Sequence, residues 1–250
     1  MQVIVNADDF GWDEEANKGI LALCAAGKLQ GVSIMANYAQ EEWIEKLLPF
    51  QAQVRLGLHL VLNEGLPLSP REQVPTLVDK NGQFYSSAVL WRRFLLGKIN
   101  KEHVRTEIKA QAQKLRNNGI ALFHADSHQH IHHLPFLGKI ILDTLQELGI
   151  TSVRNSLPSD LNDRRRNLLY FFCQLTKKNL APFVHNDVLM TYLASHSSFN
   201  KGEFDRELAK WASKNTQTLE LMCHPALSNR NDSYLRRREE FDFLMQGVSI

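Results

Sequence analysis

Phe123 to His133 reads FHADSHQHIHH and holds five of the chain's ten histidines, His124, His128, His130, His132 and His133, with Asp126 among them. Imidazoles and a carboxylate gathered at the end of a strand are the donors of a metal site or of acid–base catalysis. The run is internal and interleaved with Asp, Ser, Gln and Ile, which separates it from an expression tag. Asp8 and Asp9 follow the apolar stretch QVIVN. Two adjacent carboxylates can divide the labour, one ligating a cation while the other stays free as a base. His59, inside Gly57-Leu58-His59-Leu60, is an imidazole in an otherwise apolar strand. Two imidazoles and a carboxylate leave open positions for water and substrate, as a hydrolytic metal requires. His224, before Pro225, has the chemistry of a general acid. The triplet Asp9-Phe10-Gly11 matches a kinase metal-binding motif, but a kinase needs its Gly-rich loop and lysine strand upstream, and only eight residues precede Asp9.

These residues need elements to bring them together. Gln2 to Asn6 reads as a buried strand broken by Ala-Asp-Asp-Phe-Gly, and a helix follows Trp12 with Asp13 as its N-cap and Gly27 as its stop. Strands are predicted at 31–36 and 54–62, the latter nearly all apolar as for a parallel strand covered on both faces, with a helix at 41–48 between them. Residues 63–100, punctuated by Pro67, Pro70, Pro75 and Asn81-Gly82, read as an insertion after the third strand that carries a small helix at 87–96 and serves as a lid or substrate wall. Alternation then resumes, with strands at 120–125, 151–155, 187–192 and 218–222. Helices are predicted at 101–117, 136–148, 163–179, 202–214 and 234–245. On strand alternation, His124, Asp126, His128, His130 and His132 share a parity.

About seven strand–helix units without linker or low-complexity sequence predict one domain, 1–250, with a parallel sheet. Asp8 and Asp9, His59, His128 and His224 all fall at or near carboxyl ends of strands, which favours a TIM-barrel-like (β/α) barrel of seven parallel strands, where such residues converge on one face. A formal charge of +2 gives no ground for a nucleic-acid partner. Cys24, Cys173 and Cys223 are odd in number and widely spaced, so neither a disulfide framework nor a thiolate zinc site is indicated. MQVIVNADDF lacks a positive n-region, no apolar run approaches a membrane span, and a reducing, cytoplasmic setting is expected. Arg164 to Arg166 precede Leu168, Leu169, Tyr170, Phe171 and Phe172, with Lys177 and Lys178 after them. Such a helix could lie on an anionic membrane surface, but inward packing of its apolar face, or a homodimer contact, is favoured. Arg236 to Arg238, followed by Glu239 and Glu240, reads as a solvated helix face.

Asn6-Ala7-Asp8-Asp9-Phe10-Gly11, Gly57-Leu58-His59-Leu60 and Asp126-Ser127-His128-Gln129-His130-Ile131-His132, in this order and spacing, resemble the YdjC-like carbohydrate deacetylases, a family that includes chitooligosaccharide deacetylases. The resemblance spans essentially the whole chain. It implies a barrel-like fold with one divalent metal on Asp9, His59 and His128, Asp8 as the base, and His224 as the histidine of a late His-Pro motif. Many relatives continue that motif with glycine, and this chain has Ala226. The implied reaction is metal-dependent hydrolysis of an N-acetylated sugar to acetate and a free amine. Asp126 is placed to orient a ligating imidazole, His132 to be an alternative ligand or substrate contact, and Arg154 to steady Asp8, hold a substrate oxygen or form a structural ion pair. His130 and His133 read as surrounding or surface residues. Two imidazoles favour zinc, cobalt or manganese, while the family is described with magnesium. The rival readings are a metal-dependent phosphoesterase and a non-catalytic metal- or sugar-binding protein. The paired aspartates weigh against the latter, since a binding protein needs no spare base.

Overall fold

The computed structural model describes residues 1–195, 199–229 and 235–247. In chain order it contains β1 (Gln2–Phe10), α1 (Glu14–Ala25), β2 (Gly31–Ile34), α2 (Glu41–Leu47), β3 (Arg55–Leu60), α3 (Ser87–Leu95), α4 (Lys101–Asn117), β4 (His124–Ser127), α5 (Leu137–Glu147), α6 (Arg164–Thr176), β5 (Val188–Met190), α7 (Tyr192–Ser195), α8 (Lys201–Ala212), β6 (Thr218–Cys223) and α9 (Arg237–Met245). The strands form a six-stranded parallel half-barrel in the order β4-β3-β2-β1-β6-β5, flanked by helices. Parallel strands covered on both faces need apolar residues throughout. Accordingly Val5, Ala7, Val32, Ile34, Leu56, Leu58, Leu219 and Leu221 are wholly buried. Each fully buried Val or Leu side chain contributes roughly 1.5–3 kcal/mol relative to exposure.

The helices begin where capping chemistry dictates. Asp13, Asn100, Asp163 and Asn200 each accept a backbone N–H from the first turn of α1, α4, α6 and α8, worth about 1 kcal/mol apiece. The insertion is fastened to α4 by buried polar side chains. Glu107 accepts the backbone N–H groups of Leu68 and Ser69 at 3.0 and 2.9 Å, and Gln111 pairs with both N–H and C=O of Val61 at 3.1 and 2.6 Å.

The sequence expectations need correction at several points. β1 does not stop at Asn6 but runs through both aspartates to Phe10. The fourth strand is HADS itself, whereas Ala121 and Phe123 of the apolar lead-in are exposed. Strand parity therefore extends only to Asp126, because 128–133 is a 3-10 turn with Gln129 and His130 in left-handed conformation. The strand expected at 151–155 is represented by isolated parallel bridges, Ala125 to Val153 and Ser152 to Val184, and a further bridge joins Pro158 to Leu189 of β5. α6 turns Phe172, Cys173 and Thr176 inward, while Leu168, Tyr170 and Phe171, expected to pack inward, remain exposed, as does Leu175. The helix expected from Tyr234 begins at Arg237, and Tyr234 lies outside the described residues. Among the described residues no helix is long and apolar enough to cross a membrane.

Candidate metal and catalytic site

On a regular strand Asp8 and Asp9 would point to opposite faces. The pairing of β1 with β2 shifts register between Ala7 and Phe10, and Asp9 has φ of 66°. This bulge lets both carboxylates reach His59: Asp9 with His59 and His128, and Asp8 with His59 and Asp126, each place three donor atoms within 4.8 Å of one another. Gly11 completes the turn at φ of 105°, and a Cβ there would lie 2.7 Å from that of Ala39. The register of β3 against β4 sets His59 beside Asp126, and Gly57 beside His124, whose ring fills the space a Cβ at Gly57 would need. β6 pairs Cys223 with Ala7, so His224 follows at the level of Asp8.

Two chains of polar contacts meet here. His59 donates its Nδ1–H to Asp126 Oδ1 at 2.6 Å, and His128 donates its Nε2–H to Glu64 Oε2 at 3.0 Å. A carboxylate only accepts, so these bonds set the tautomers, and the remaining nitrogens face Asp9 Oδ1 at 3.4 Å (His59 Nε2) and 3.5 Å (His128 Nδ1). Behind them Arg154 grips both oxygens of Asp8 at 2.6 Å, Asp126 Oδ2 at 2.7 Å and Glu220 Oε1 at 2.6 Å. Asn6 donates to Asp8 Oδ1 and to Ser33 Oγ, both at 2.8 Å, and Ser33 donates to Asp126 Oδ2 at 2.8 Å. All of these residues but Glu64 are buried.

Burial alone would raise the Asp9 carboxyl, but the facing imidazoles of His128 and His59 outweigh it and hold it well below the usual range. Burial would likewise lower His59, yet Asp126 and Asp9 push it up to about 10. His128 is raised against its burial by Asp9 and Glu64. The site is thus an anionic hollow that binds positive charge. His132 differs. Its two ring nitrogens are engaged by Ser127 Oγ at 2.6 Å and the Arg154 carbonyl at 3.0 Å, and burial lowers it to about 3. It buttresses Arg154 and does not face Asp9. His133 is wholly buried, bonded to Thr176 and the Ser156 N–H, so it is not a surface residue.

The model of the YdjC-like protein family matches residues 2–248. The chain belongs to the YdjC-like family. It is 30% identical over 174 residues to a protein of Danio rerio named carbohydrate deacetylase, covering 65% of this chain and 55% of that one. It is 29% identical over 242 residues to the Homo sapiens protein of the same name, covering 90% and 75%. This chain thus spans about half the length of the first relative. Among solved structures, an Enterococcus faecalis V583 protein named for cellobiose-phosphate cleavage superposes with a TM-score of 0.77 at 24% identity, covering 98% of this chain and 90% of that one, which establishes the shared fold.

The donors of this family member fit a divalent ion. Asp9 Oδ1 is buried and makes no hydrogen bond among the described residues. With one N–H of each ring committed to a carboxylate, His59 and His128 turn their remaining nitrogens toward it, where a divalent ion could take the place of the protons that the facing carboxylates favour. Donors about 2.1 Å from one ion at tetrahedral angles lie roughly 3.4 Å apart, which is the spacing seen. His224 lies at the tip of β6 with its Nδ1 buried and without a hydrogen-bond partner among the described residues, and burial lowers its pKa. Sequence reasoning missed Glu64, Glu220, Arg237 and Glu240. Glu220 carried a signal, an acid inside the apolar run TLELMC. Arg237 and Glu240 were assigned to a solvated face, but they are buried at 1% and 0% exposure against the His224 segment.

Proposed function

We propose that this chain is a metal-dependent carbohydrate deacetylase, a hydrolase that removes the N-acetyl group from an amino sugar or chitooligosaccharide-like substrate. The observation that carries the reading is the orphaned Asp9 oxygen between two carboxylate-anchored imidazoles, with a second, separately held carboxylate next to it in the chain. Family membership and the names of the relatives support the same reaction. The isolated bridges beyond β4 support a seven-strand, TIM-barrel-like closure.

Asp9, His59 and His128 would hold one divalent ion, zinc or magnesium, with cobalt or manganese as substitutes. When bound, such an ion supplies Lewis-acid polarisation of the amide carbonyl and acidifies water. Asp8 is the base that takes the attacking water's proton. Arg154 and Asn6 occupy three of its roughly four acceptor positions, and among the described residues the open one is on Oδ2. The bidentate grip fixes that oxygen so that no reorganisation is needed at the moment of transfer. His224 delivers a proton to the amine nitrogen as the C–N bond breaks, without which an amide leaves poorly. Asp126 and Glu64 orient the two imidazoles.

The test is acetate release from N-acetylglucosamine, diacetylchitobiose and longer chitooligosaccharides by metal-stripped and metal-restored protein, with sugar phosphates as controls. Metal-dependent acetate release, lost in Asp8→Asn with metal still bound, is expected. Phosphate release without acetate would assign the site to phosphoesters instead, and full activity in Asp8→Asn would remove Asp8 as the base.

A further inference from the structure

His224 is gripped by α9 through its backbone. Glu240 Oε2 accepts the His224 backbone N–H at 2.6 Å, and Arg237 Nε donates to the His224 carbonyl at 3.2 Å. Ala226 N–H donates to the Arg237 carbonyl at 3.1 Å, and Leu227 N–H to the Glu15 carbonyl at 3.1 Å, so the His-Pro-Ala tip is fixed on α9 and α1 without a glycine. Arg237 Nη1 is held in turn by Asp13 at 3.0 Å, and its guanidinium lies 5.4 Å from the Trp12 ring.

Three atoms in this clamp are buried without a hydrogen-bond partner among the described residues, Arg237 Nη2, Glu240 Oε1 and His224 Nδ1. Glu240 Oε1 and His224 Nδ1 stand 3.9 Å apart. An unpaired buried acceptor is destabilising, and a small rotation of the imidazole would satisfy both atoms. Glu240 is wholly buried, on the face of α9 that also buries Arg237 and Leu244, while Arg238 and Glu239 face solvent.

We propose that Glu240 is the positioning residue for His224, accepting from its Nδ1–H so that Nε2 is directed to the reacting amide, and stabilising the imidazolium whose Nε2–H is the proton delivered. What the proton is used for rests on the deacetylase reading; the pairing itself does not. The other charged groups facing His224 are Asp9 and Asp8 from β1, His59 from β3 and Arg237 from α9.

The experiment compares wild type, Glu240→Gln and Glu240→Asp by nitrogen-15 NMR of labelled histidine, assigning His224 by its loss in His224→Gln. Gln keeps the backbone acceptor and the volume while removing the charge. Expected in wild type is an Nδ1–H imidazole; expected in Glu240→Gln is a His224 titration lowered by about one pH unit or more. With an acetylated substrate, kcat is expected to fall at least roughly tenfold with KM little changed, and the matching limb of the pH–rate profile to move the same way. If Glu240→Gln does not fold, Glu240→Asp, which keeps the charge and lengthens the gap, carries the same comparison. An unchanged tautomer and titration in a folded variant would overturn the proposal. Because the NMR arm needs no turnover, an inactive wild type would count against the deacetylase reading and leave the Glu240 result decisive.

Discussion

Arg154 is a single cation shared by three buried carboxylates, Asp8, Asp126 and Glu220, and it is itself 3% exposed. Removing one partner from a buried ionic cluster leaves uncompensated charge, a cost of about 3–5 kcal/mol. Arg154→Met should therefore lower the melting temperature by roughly 10 °C, at about 2–4 °C per kcal/mol for a chain of this size. Arg154→Lys should recover only part of it, because a point charge cannot reproduce the fork. A melt of Arg154→Met within a degree or two of wild type would show that the network is not held this way. Glu220 adds a pH dependence. Burial raises it from 4.5 to about 7, so the folded state holds its proton more tightly than the unfolded chain. Its stabilising contribution is complete below pH 4.5 and is lost as pH rises through 7. Denaturant titrations between pH 5 and 8 should show that fall in wild type and a shallower one in Glu220→Gln; parallel curves would refute it.

The site also depends on how closely two elements approach. α5 packs against the 128–133 turn, and a Cβ on Gly138 would lie 2.3 Å from the His132 carbonyl oxygen. Backbone cannot yield as a flexible side chain can. Gly138→Ala should thus cost about 1–3 kcal/mol and displace the turn that sets His128, so metal affinity should weaken along with the melting temperature. Stability loss with metal affinity intact would place the strain elsewhere. That turn marks the limit of what the sequence revealed. Asp9, His59, His128 and their convergence were legible because strand ends and histidine spacing are local signals. Strand parity past Asp126 was not, since nothing in HQHIHH announces left-handed residues at Gln129 and His130. The barrel strand at 151–155 was read from the alternation of strands and helices, but its backbone joins the sheet only through isolated bridges. Arg237 and Glu240 were hidden for a related reason. A charged helix face looks solvated until the strand tip it covers is known.

At the scale of the molecule, an anionic hollow in the native state is a reservoir of destabilisation that a cation relieves. The unfolded chain does not assemble Asp9 from β1, His59 from β3 and His128 after β4, so a divalent ion held there would bind the folded form preferentially and stabilise it by mass action. At a thousandfold excess over the dissociation constant the gain is about 4 kcal/mol, or roughly 8–16 °C in melting temperature. Metal-stripped protein should melt lower by that order, and re-addition of zinc, cobalt, manganese or magnesium should restore it in the order of their affinities. His59 and His128 are both raised by the facing carboxylates, so metal must displace protons, and the stabilisation should grow as pH rises from 6 to 8. Asp9→Asn removes the shared charge. It should melt at nearly the same temperature with and without metal, with metal content by plasma mass spectrometry reduced accordingly. A metal-induced shift that survives in Asp9→Asn would mean that the ion sits elsewhere, and the assignment of this hollow as the metal centre would fall with it.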